Sequence, residues 1–444
     1  MKVIVIGNNH AGTAAITHLR ANHPDVEVVS YDSNDNISFL ACGIALWVGG
    51  TIKEPDGLFY SNPEKMKEMG AKVNMRHEVV NIDFGTKTVR VKDLETEIES
   101  DDNYDKIILA MGSWPIIPPI PGIDMKGIHI SKLFQHAQGI IENVKQSDVK
   151  KVTVVGAGYI GVELIEAFHK HGKDVTLIEA EDRILCKYFD GEMTAAPEGE
   201  LKKQGIHIRT SEKVVKFEGE DGKVTKVVTD KGEYETDMVI FSVGFKPNTV
   251  MIADQLETLP NGAIKVNEFM QTSLPDVYAC GDCAAVHSNA THNEEYIALA
   301  TNAVRMGILC ALNIKENKVP SPGVQGSNAI QIFDYKMAST GLSETAALER
   351  GIKVSSNVVE DASRAEFMPT YDQVKIKVVY ETESRRLIGA QIMSTGDYTL
   401  AIHTFSLAIQ KQMSVDEFAL TDFFFLPHFN KPVSYMTSVA LTAE

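Results

Sequence analysis

The chain has no apolar run approaching the ~18 residues of a membrane-spanning helix, which excludes a helical membrane protein. It lacks a basic excess. Against 60 aspartates and glutamates stand 43 lysines and arginines, a net charge of −17, so nucleic acid and anionic membrane surfaces are repelled. Cysteine is scarce: Cys42, Cys186, Cys280, Cys283 and Cys310 form an odd, scattered set, which excludes a disulfide framework. A thiol that matters in this chain is catalytic rather than structural. The opening "MKVIVIGNNHAG" lacks the apolar stretch of a secretion signal, because Gly7 and Asn8 end the run after four residues. It reads as a first β-strand, and the expectation is a cytoplasmic protein. What remains is an ordinary globular composition, 44% hydrophobic and 23% charged, over 444 residues. That length predicts two or three domains rather than one core.

One unit occurs twice. An apolar strand "KVIVIG", a turn "GNNHAG", a helical stretch "TAAITHLRANH" and a second strand "VEVVSYD" ending on Asp32 open the chain. Residues 151 to 179 repeat the plan with "KVTVVG", "GAGYIG", "VELIEAFHKHG" and "DVTLIE", ending on Glu179. Each copy continues into a meander of short strands and closes on an apolar strand that runs into a glycine, Gly112 in "YDKIILAMG" and Gly244 in "TDMVIFSVG". Two Rossmann-like βαβ domains of one design follow.

The second turn carries the full G-x-G-x-x-G spacing at Gly156, Gly158 and Gly161, after a strand and opening a helix. That context suits a dinucleotide, with the pyrophosphate at the helix N-terminus. Glu179, eighteen residues after Gly161, is placed to accept from ribose hydroxyls and to repel a 2′-phosphate, so NADH is preferred over NADPH. Tyr159, inside this turn, either faces the space between two nucleotides or simply packs. In the first turn Gly7 and Gly12 hold the outer positions and Asn9 the middle one, where its tolerance of positive φ keeps a phosphate turn open. Asp32, twenty residues after Gly12, supplies the ribose carboxylate. In "DVYACGDCAAV" Asp282 follows a strand and precedes an expected helix, a position that suits a polyol, and a flavin carries a ribitol.

The order of first fingerprint, "YDKIILAMGSWP", second fingerprint, "GFKPN" and "YACGD" resembles the two-dinucleotide flavoprotein disulfide reductases, the pyridine nucleotide-disulfide oxidoreductase (FAD) family, over residues 1 to about 310. The resemblance implies a glutathione-reductase-like α/β fold with an α+β interface domain. It implies domains at 1–112 with 245–320 for FAD, 113–244 for NADH and 321–444 for subunit pairing. FAD contacts are implied at Gly7, Asn8, Asn9, Ala11, Gly12 and Asp32, and at Ala110, Gly112, Ser113, Asp282, Ala298 and Leu299. The last two belong to "IALAT", whose helix N-terminus is expected at the flavin pyrimidine edge. NADH contacts are implied at Gly156, Gly158, Tyr159, Ile160, Gly161, Glu179, Tyr188 and Gly244. No metal is implied.

Cys280 and Cys283 form a C-x-x-C pair, but they bracket the ribitol-binding Gly281-Asp282, whose backbone must stay fixed. Small buried hydrophobes are therefore the favoured reading for them, as for Cys186 and Cys310. Cys42 stands alone in "SFLACG" at the start of an expected helix "CGIALWVGG", a position that shifts a thiol toward thiolate. The motif resembles the single-cysteine branch of the family: NADH oxidases, NADH peroxidases and coenzyme A disulfide reductases. A lone buried thiol oxidised by peroxide to sulfenic acid is reducible by a neighbouring flavin. His10 is the candidate acid–base group. "G-x-x-H-A-G" together with "SFLACG" resembles the oxidases and peroxidases, where the matching histidine is catalytic, and this moves the coenzyme A disulfide reductases to third place.

After residue 321 the pattern changes to a sheet with two helical stretches, "AIHTFSLAIQKQM" and "VDEFALTDFFFLPHFNKP". Phe423, Phe424 and Phe425 are expected in a core or a subunit interface. His428 either approaches a partner's flavin site or has a structural interface role. The expected protein is a homodimer or larger homo-oligomer. It takes hydride from NADH onto FAD and reduces O2 to water through a flavin peroxide and a Cys42 thiol/sulfenic acid cycle. An NADH peroxidase acting on H2O2 with the same residues is the alternative, and a flavin redox sensor without turnover is a further one.

Overall fold

The computed structural model describes residues 1–444. Two five-stranded parallel sheets share one plan. In the first, the strands run Val277–Ala279, Lys106–Leu109, Lys2–Ile6, Glu27–Asp32 and Lys72–Met75. In the second the order is Ile128–Ile130, Met238–Phe241, Lys151–Val155, Asp174–Ile178 and His207–Arg209. The central strands are continuous apolar runs because helices and meanders cover both faces: Val3, Ile4 and Val5 have no exposed surface, nor has Val154. Each sheet carries its meander as a separate three-stranded antiparallel sheet, His77–Asn103 in one unit and Val214–Glu235 in the other.

The copies differ in where the fifth strand originates. Ile128–Ile130 comes from just before the second unit, whereas Val277–Ala279 returns to the first sheet after the second unit is complete. The chain thus crosses between the units twice, and the crossings pair with each other as the short strands Ser113–Pro115 and Phe245–Pro247.

Residues 328–394 build a five-stranded antiparallel sheet, backed by the helices Ile402–Gln410, Val415–Ala419 and Tyr435–Leu441. The second expected helical stretch therefore ends at Ala419. Beyond it Pro427 and Pro432 interrupt helical hydrogen bonding, and Asn430 Nδ2 donates to the Phe424 carbonyl at 2.7 Å to form a local turn. Phe423 is half-buried against the core, but Phe424 and Phe425 are 71% and 48% exposed, so these two are not core residues. His428 is likewise exposed, and its carbonyl accepts from Arg364. No helix is long and apolar enough to cross a membrane.

The third unit is pinned to the second by Lys377, a strand residue whose side chain is 2% exposed and pairs with Asp190 at 3.0 Å, Glu344 at 2.7 Å and Glu192. Asp190 in turn accepts from the backbone N–H groups of Glu344 and Thr345, both at 3.0 Å, and from Gln391 Nε2 at 2.7 Å. Burial pushes its carboxyl up, but these donors and Lys377 outweigh burial and hold it at about 2.

Candidate active site

The two fingerprint turns match down to single hydrogen bonds. Gly7 and Gly156 take φ of +94° and +101°, and a Cβ on either would meet a backbone oxygen, Ala110 at 2.3 Å or Ser242 at 2.4 Å. Gly12 and Gly161 lie beneath, where a Cβ would sit 1.8 and 1.9 Å from the carbonyl oxygens of Gly7 and Gly156. The Asn8 N–H donates to Asp32 Oδ2 at 2.6 Å, and in the second copy the Ala157 N–H donates to Glu179 Oε2 at 2.5 Å. The remaining carboxylate oxygens accept from Asn34 N–H at 2.8 Å and Glu181 N–H at 2.9 Å. Burial pushes the Asp32 carboxyl up against its own two donors, the Asn34 and Asn8 N–H groups.

The middle position does not need positive φ: Asn9 has φ −82° and Gly158 φ −74°. The expectation that asparagine is chosen there for a left-handed backbone is therefore wrong. What matters is room, and nothing lies within 4 Å of a Cβ built on Gly158. His10 is the first residue of the helix His10–Asn22 rather than part of the turn, and Tyr159 opens the equivalent helix Tyr159–Lys170.

These turns face one cleft of about 1690 Å³, larger than the ~300–1,000 Å³ usual for a single ligand. Of the site residues expected from sequence, all line it except Asn8, Gly12 and Gly161. Asn8 is fully buried with its N–H committed to Asp32, and the two glycines act as packing positions under the turns.

Asp282 follows the strand Val277–Ala279, but the expected helix after it is only a single 3-10 turn, Gly281–Cys283. The turn is wedged between two helix N-termini: a Cβ on Gly281 would meet Ala11 at 2.9 Å and Ala303 at 3.5 Å. Ser113 Oγ donates to Asp282 Oδ2 at 2.8 Å, Lys132 Nζ donates to Ser113 Oγ at 3.0 Å, and Lys132 also stands 4.7 Å over the Phe245 ring. The helix expected from "IALAT" begins at Ala300, with Leu299 as its cap and Ala298 beside it on the cleft wall. Two buried oxygens, Asn8 Oδ1 and the Tyr296 hydroxyl, have no partner. Helix N-termini, two paired acids and open space at the middle glycine together fit two dinucleotides, one of them carrying a polyol.

Cys42 sits in a 3-10 turn, Ala41–Gly43, ahead of a helix of only Ile44–Val48. Its thiol is free and exposed onto the cleft rather than buried, as the sequence had suggested. The direction of its titration is also opposite to expectation: surrounding protein and the nearby Glu163 raise it, outweighing its backbone hydrogen bond and Lys132. A one-turn approach to a five-residue helix offers too weak a dipole to reverse that. His10 is pushed down by burial and by Lys132, with Asp282 opposing. Glu163 is raised to about 7 by burial and by Glu166.

Tyr159 both lines the cleft and packs: its ring lies 4.4 Å from that of Tyr188, and its hydroxyl donates to Asn328 of the third unit. Cys280 and Cys283 are buried and unpaired, Cys283 Sγ donating to the Leu109 carbonyl at 3.2 Å. Lys132, Glu163, Tyr60 and Asn328 were not found from sequence. None sits in a spacing pattern, and only the tertiary fold brings Lys132, Glu163 and Asn328 to the cleft and Tyr60 up behind His10.

A chain that opens two dinucleotide half-sites, a free thiol and an imidazole onto one cleft has the layout of a dinucleotide-dependent redox protein. It belongs to the pyridine nucleotide-disulphide oxidoreductases, whose family pattern spans residues 1–307, with that family's dimerisation domain at residues 328–436. It is 49% identical to an NADH oxidase of Enterococcus faecalis, over 100% of this chain and 99% of the other. An NADH oxidase of Lactococcus lactis is 47% identical over the full length of both chains. Among solved structures, the water-forming NADH oxidase from Lactobacillus brevis bound to NADH is similar at TM-score 0.97 and 43% identity, covering 99% of this chain and 97% of that one.

Proposed function

We propose that this protein is an FAD-dependent NADH oxidase that reduces O2 to water through Cys42. The observation that carries the reading is one unpaired thiol, Cys42, opening with one imidazole, His10, onto a cleft flanked by two dinucleotide half-sites. The full-length similarity to NADH oxidases supports it. Residues 1–112 with 245–320 form the FAD domain, 113–244 the NADH domain and 321–444 the interface domain.

Bound FAD would supply the two-electron relay between NADH and dioxygen. The chain's own residues do the rest. Gly156 to Gly161 receive the NADH pyrophosphate and Glu179 its ribose, while Gly7 to Gly12, Asp32, Ser113 and Asp282 hold the FAD. His10 relays a proton from solvent to peroxide as it forms in the cleft. Cys42 Sγ then attacks one peroxide oxygen: the S–O bond forms, the O–O bond breaks, and the thiol proton leaves with the second oxygen as water. Two electrons from a second NADH return the sulfenic acid to the thiol with release of another water.

The protein works as a homodimer, which the exposed Phe424, Phe425 and Phe429 support. Its five free cysteines favour the reducing cytoplasm. The test is NADH and O2 consumption with and without catalase. Two NADH per O2, unaffected by catalase, supports the oxidase. Turnover only with added peroxide would replace it with a peroxidase, which the same Cys42 and His10 would serve.

A further inference from the structure

His10 is held from behind. Its Nδ1 lies 3.0 Å from the Tyr60 hydroxyl, and the two rings stack at 5.7 Å between centroids with only 6° between their planes. Tyr60 itself does not line the cleft, whereas His10 does. The nitrogen left for the cleft is therefore Nε2.

The segment that carries Tyr60 is clasped to the segment that carries Cys42. Phe39 and Phe59 form an antiparallel bridge, and Leu40 N–H donates to the Leu58 carbonyl at 2.8 Å. The buried Ser38 Oγ both donates to the Ser61 carbonyl and accepts from the Ser61 N–H, each at 2.8 Å. Ser38 takes a φ of +60°, a conformation unfavourable for a non-glycine residue, which the clasp maintains. The clasp thus holds the turn that brings the thiol to the cleft beside the segment that carries the histidine's partner.

We propose that Tyr60 is the positioning residue that fixes the His10 tautomer: its oxygen accepts from Nδ1–H, which leaves the Nε2 lone pair free to take the Cys42 thiol proton and hand it to the departing oxygen. The inference rests on the reading above that His10 moves this proton. In the step, Cys42 S–H gives its proton to Nε2 and Sγ bonds to one oxygen of hydrogen peroxide. The O–O bond breaks, and the Nε2 proton completes water on the other oxygen. Thiol and peroxide become sulfenic acid and water, with His10 regenerated. Both shifts described for the site make a base necessary, since surrounding protein keeps the thiol protonated and the imidazole neutral. The Tyr60 phenol, pushed up to about 12 by burial, stays a neutral partner throughout. Nδ1–H donates in the neutral and the protonated imidazole alike, which is how an orienting group serves a histidine base. The other charged groups that act on His10 are Asp282, which favours its protonation, and Lys132, which opposes it.

The test is the rate of Cys42 oxidation by added hydrogen peroxide in the reduced holoenzyme without NADH, followed as the dimedone adduct by mass spectrometry between pH 5 and 9. Tyr60→Phe keeps the stacked ring and loses the acceptor. It is expected to oxidise Cys42 about tenfold more slowly, with the midpoint of the pH profile moved to lower pH, and to add no further loss in a His10→Gln background. An unchanged or raised midpoint, or an additive loss with His10→Gln, overturns the inference. If His10→Gln itself oxidises Cys42 at the wild-type rate, the proton-transfer reading fails. If His10→Gln is slow while Tyr60→Phe behaves as wild type, only the role of Tyr60 fails. Should Tyr60→Phe not fold, Ser38→Ala loosens the same clasp. It is then expected to slow Cys42 oxidation as well, and a wild-type rate would overturn the inference.

Discussion

The Ala157 backbone N–H donates to Glu179 Oε2 at 2.5 Å, which ties the fingerprint turn to the acid at the end of the next strand. With Oε1 taking the Glu181 N–H, both carboxylate oxygens are fixed in place beside the cleft. Replacing Glu179 by Ala should raise the KM for NADH about tenfold, in keeping with the ~1.5–3 kcal/mol of a charged hydrogen bond, and should lower the preference for NADH over NADPH. Steady-state kinetics with both nucleotides measure this, and an unchanged ratio would remove Glu179 from nucleotide selection.

Lys377 is a buried cation among three carboxylates that join two units of the chain. Removing it leaves Asp190 buried without its counter-charge, so Lys377→Ala should cost about 3–5 kcal/mol of unfolding free energy. Asp190 has a lowered carboxyl, so its contribution is complete above the unfolded carboxylate range and is lost as pH falls from about 4 toward 2. Denaturant unfolding at pH 7 and at pH 3 checks both, with Asp190→Asn showing a weaker pH dependence across that interval than the parent.

Glu163 titrates near 7 and raises the Cys42 thiol. As pH rises through 7 its carboxylate gains charge and opposes ionisation of Cys42. Glu163→Gln removes that charge and should raise the rate of Cys42 alkylation by iodoacetamide at pH 8 several-fold. Equal alkylation rates in parent and variant would show that the two groups are not coupled.

Phe424 is 71% and Phe429 64% exposed on the last segment of the dimerisation domain, beside Phe425 and Leu426. If a second copy covers this patch, Phe424→Asp combined with Phe429→Asp should convert the dimer to monomer at micromolar concentration in analytical ultracentrifugation. A dimer that persists would place the subunit contact elsewhere.

The doubled βαβ plan was legible because everything that encodes it is local. Apolar runs such as "KVIVIG" and "KVTVVG" mark the buried parallel strands, and glycines stand where a Cβ would strike a carbonyl. The positions of the strand-end acids Asp32 and Glu179, and of Cys42 and His10, on the cleft were legible for the same reason. The surroundings of the thiol were not. Glu163, Lys132 and Asp282 act on it from separate elements, and burial together with Glu163 and Asp282, rather than the helix start beside Cys42, pushes it up. The final helical stretch was overread because its apolar residues, Phe424 to Phe429, cover no core of their own chain, and Pro427 forbids the helix that would align them.

The central claim is that Cys42 carries the second half of oxygen reduction, and Cys42→Ser tests it most directly. NADH, O2 and hydrogen peroxide should be followed together in parent and variant. The parent should consume two NADH per O2 and release no peroxide, while the variant should consume one NADH per O2 and release the oxygen as hydrogen peroxide. A Cys42→Ser enzyme that still consumes two NADH per O2 and forms only water would contradict the account.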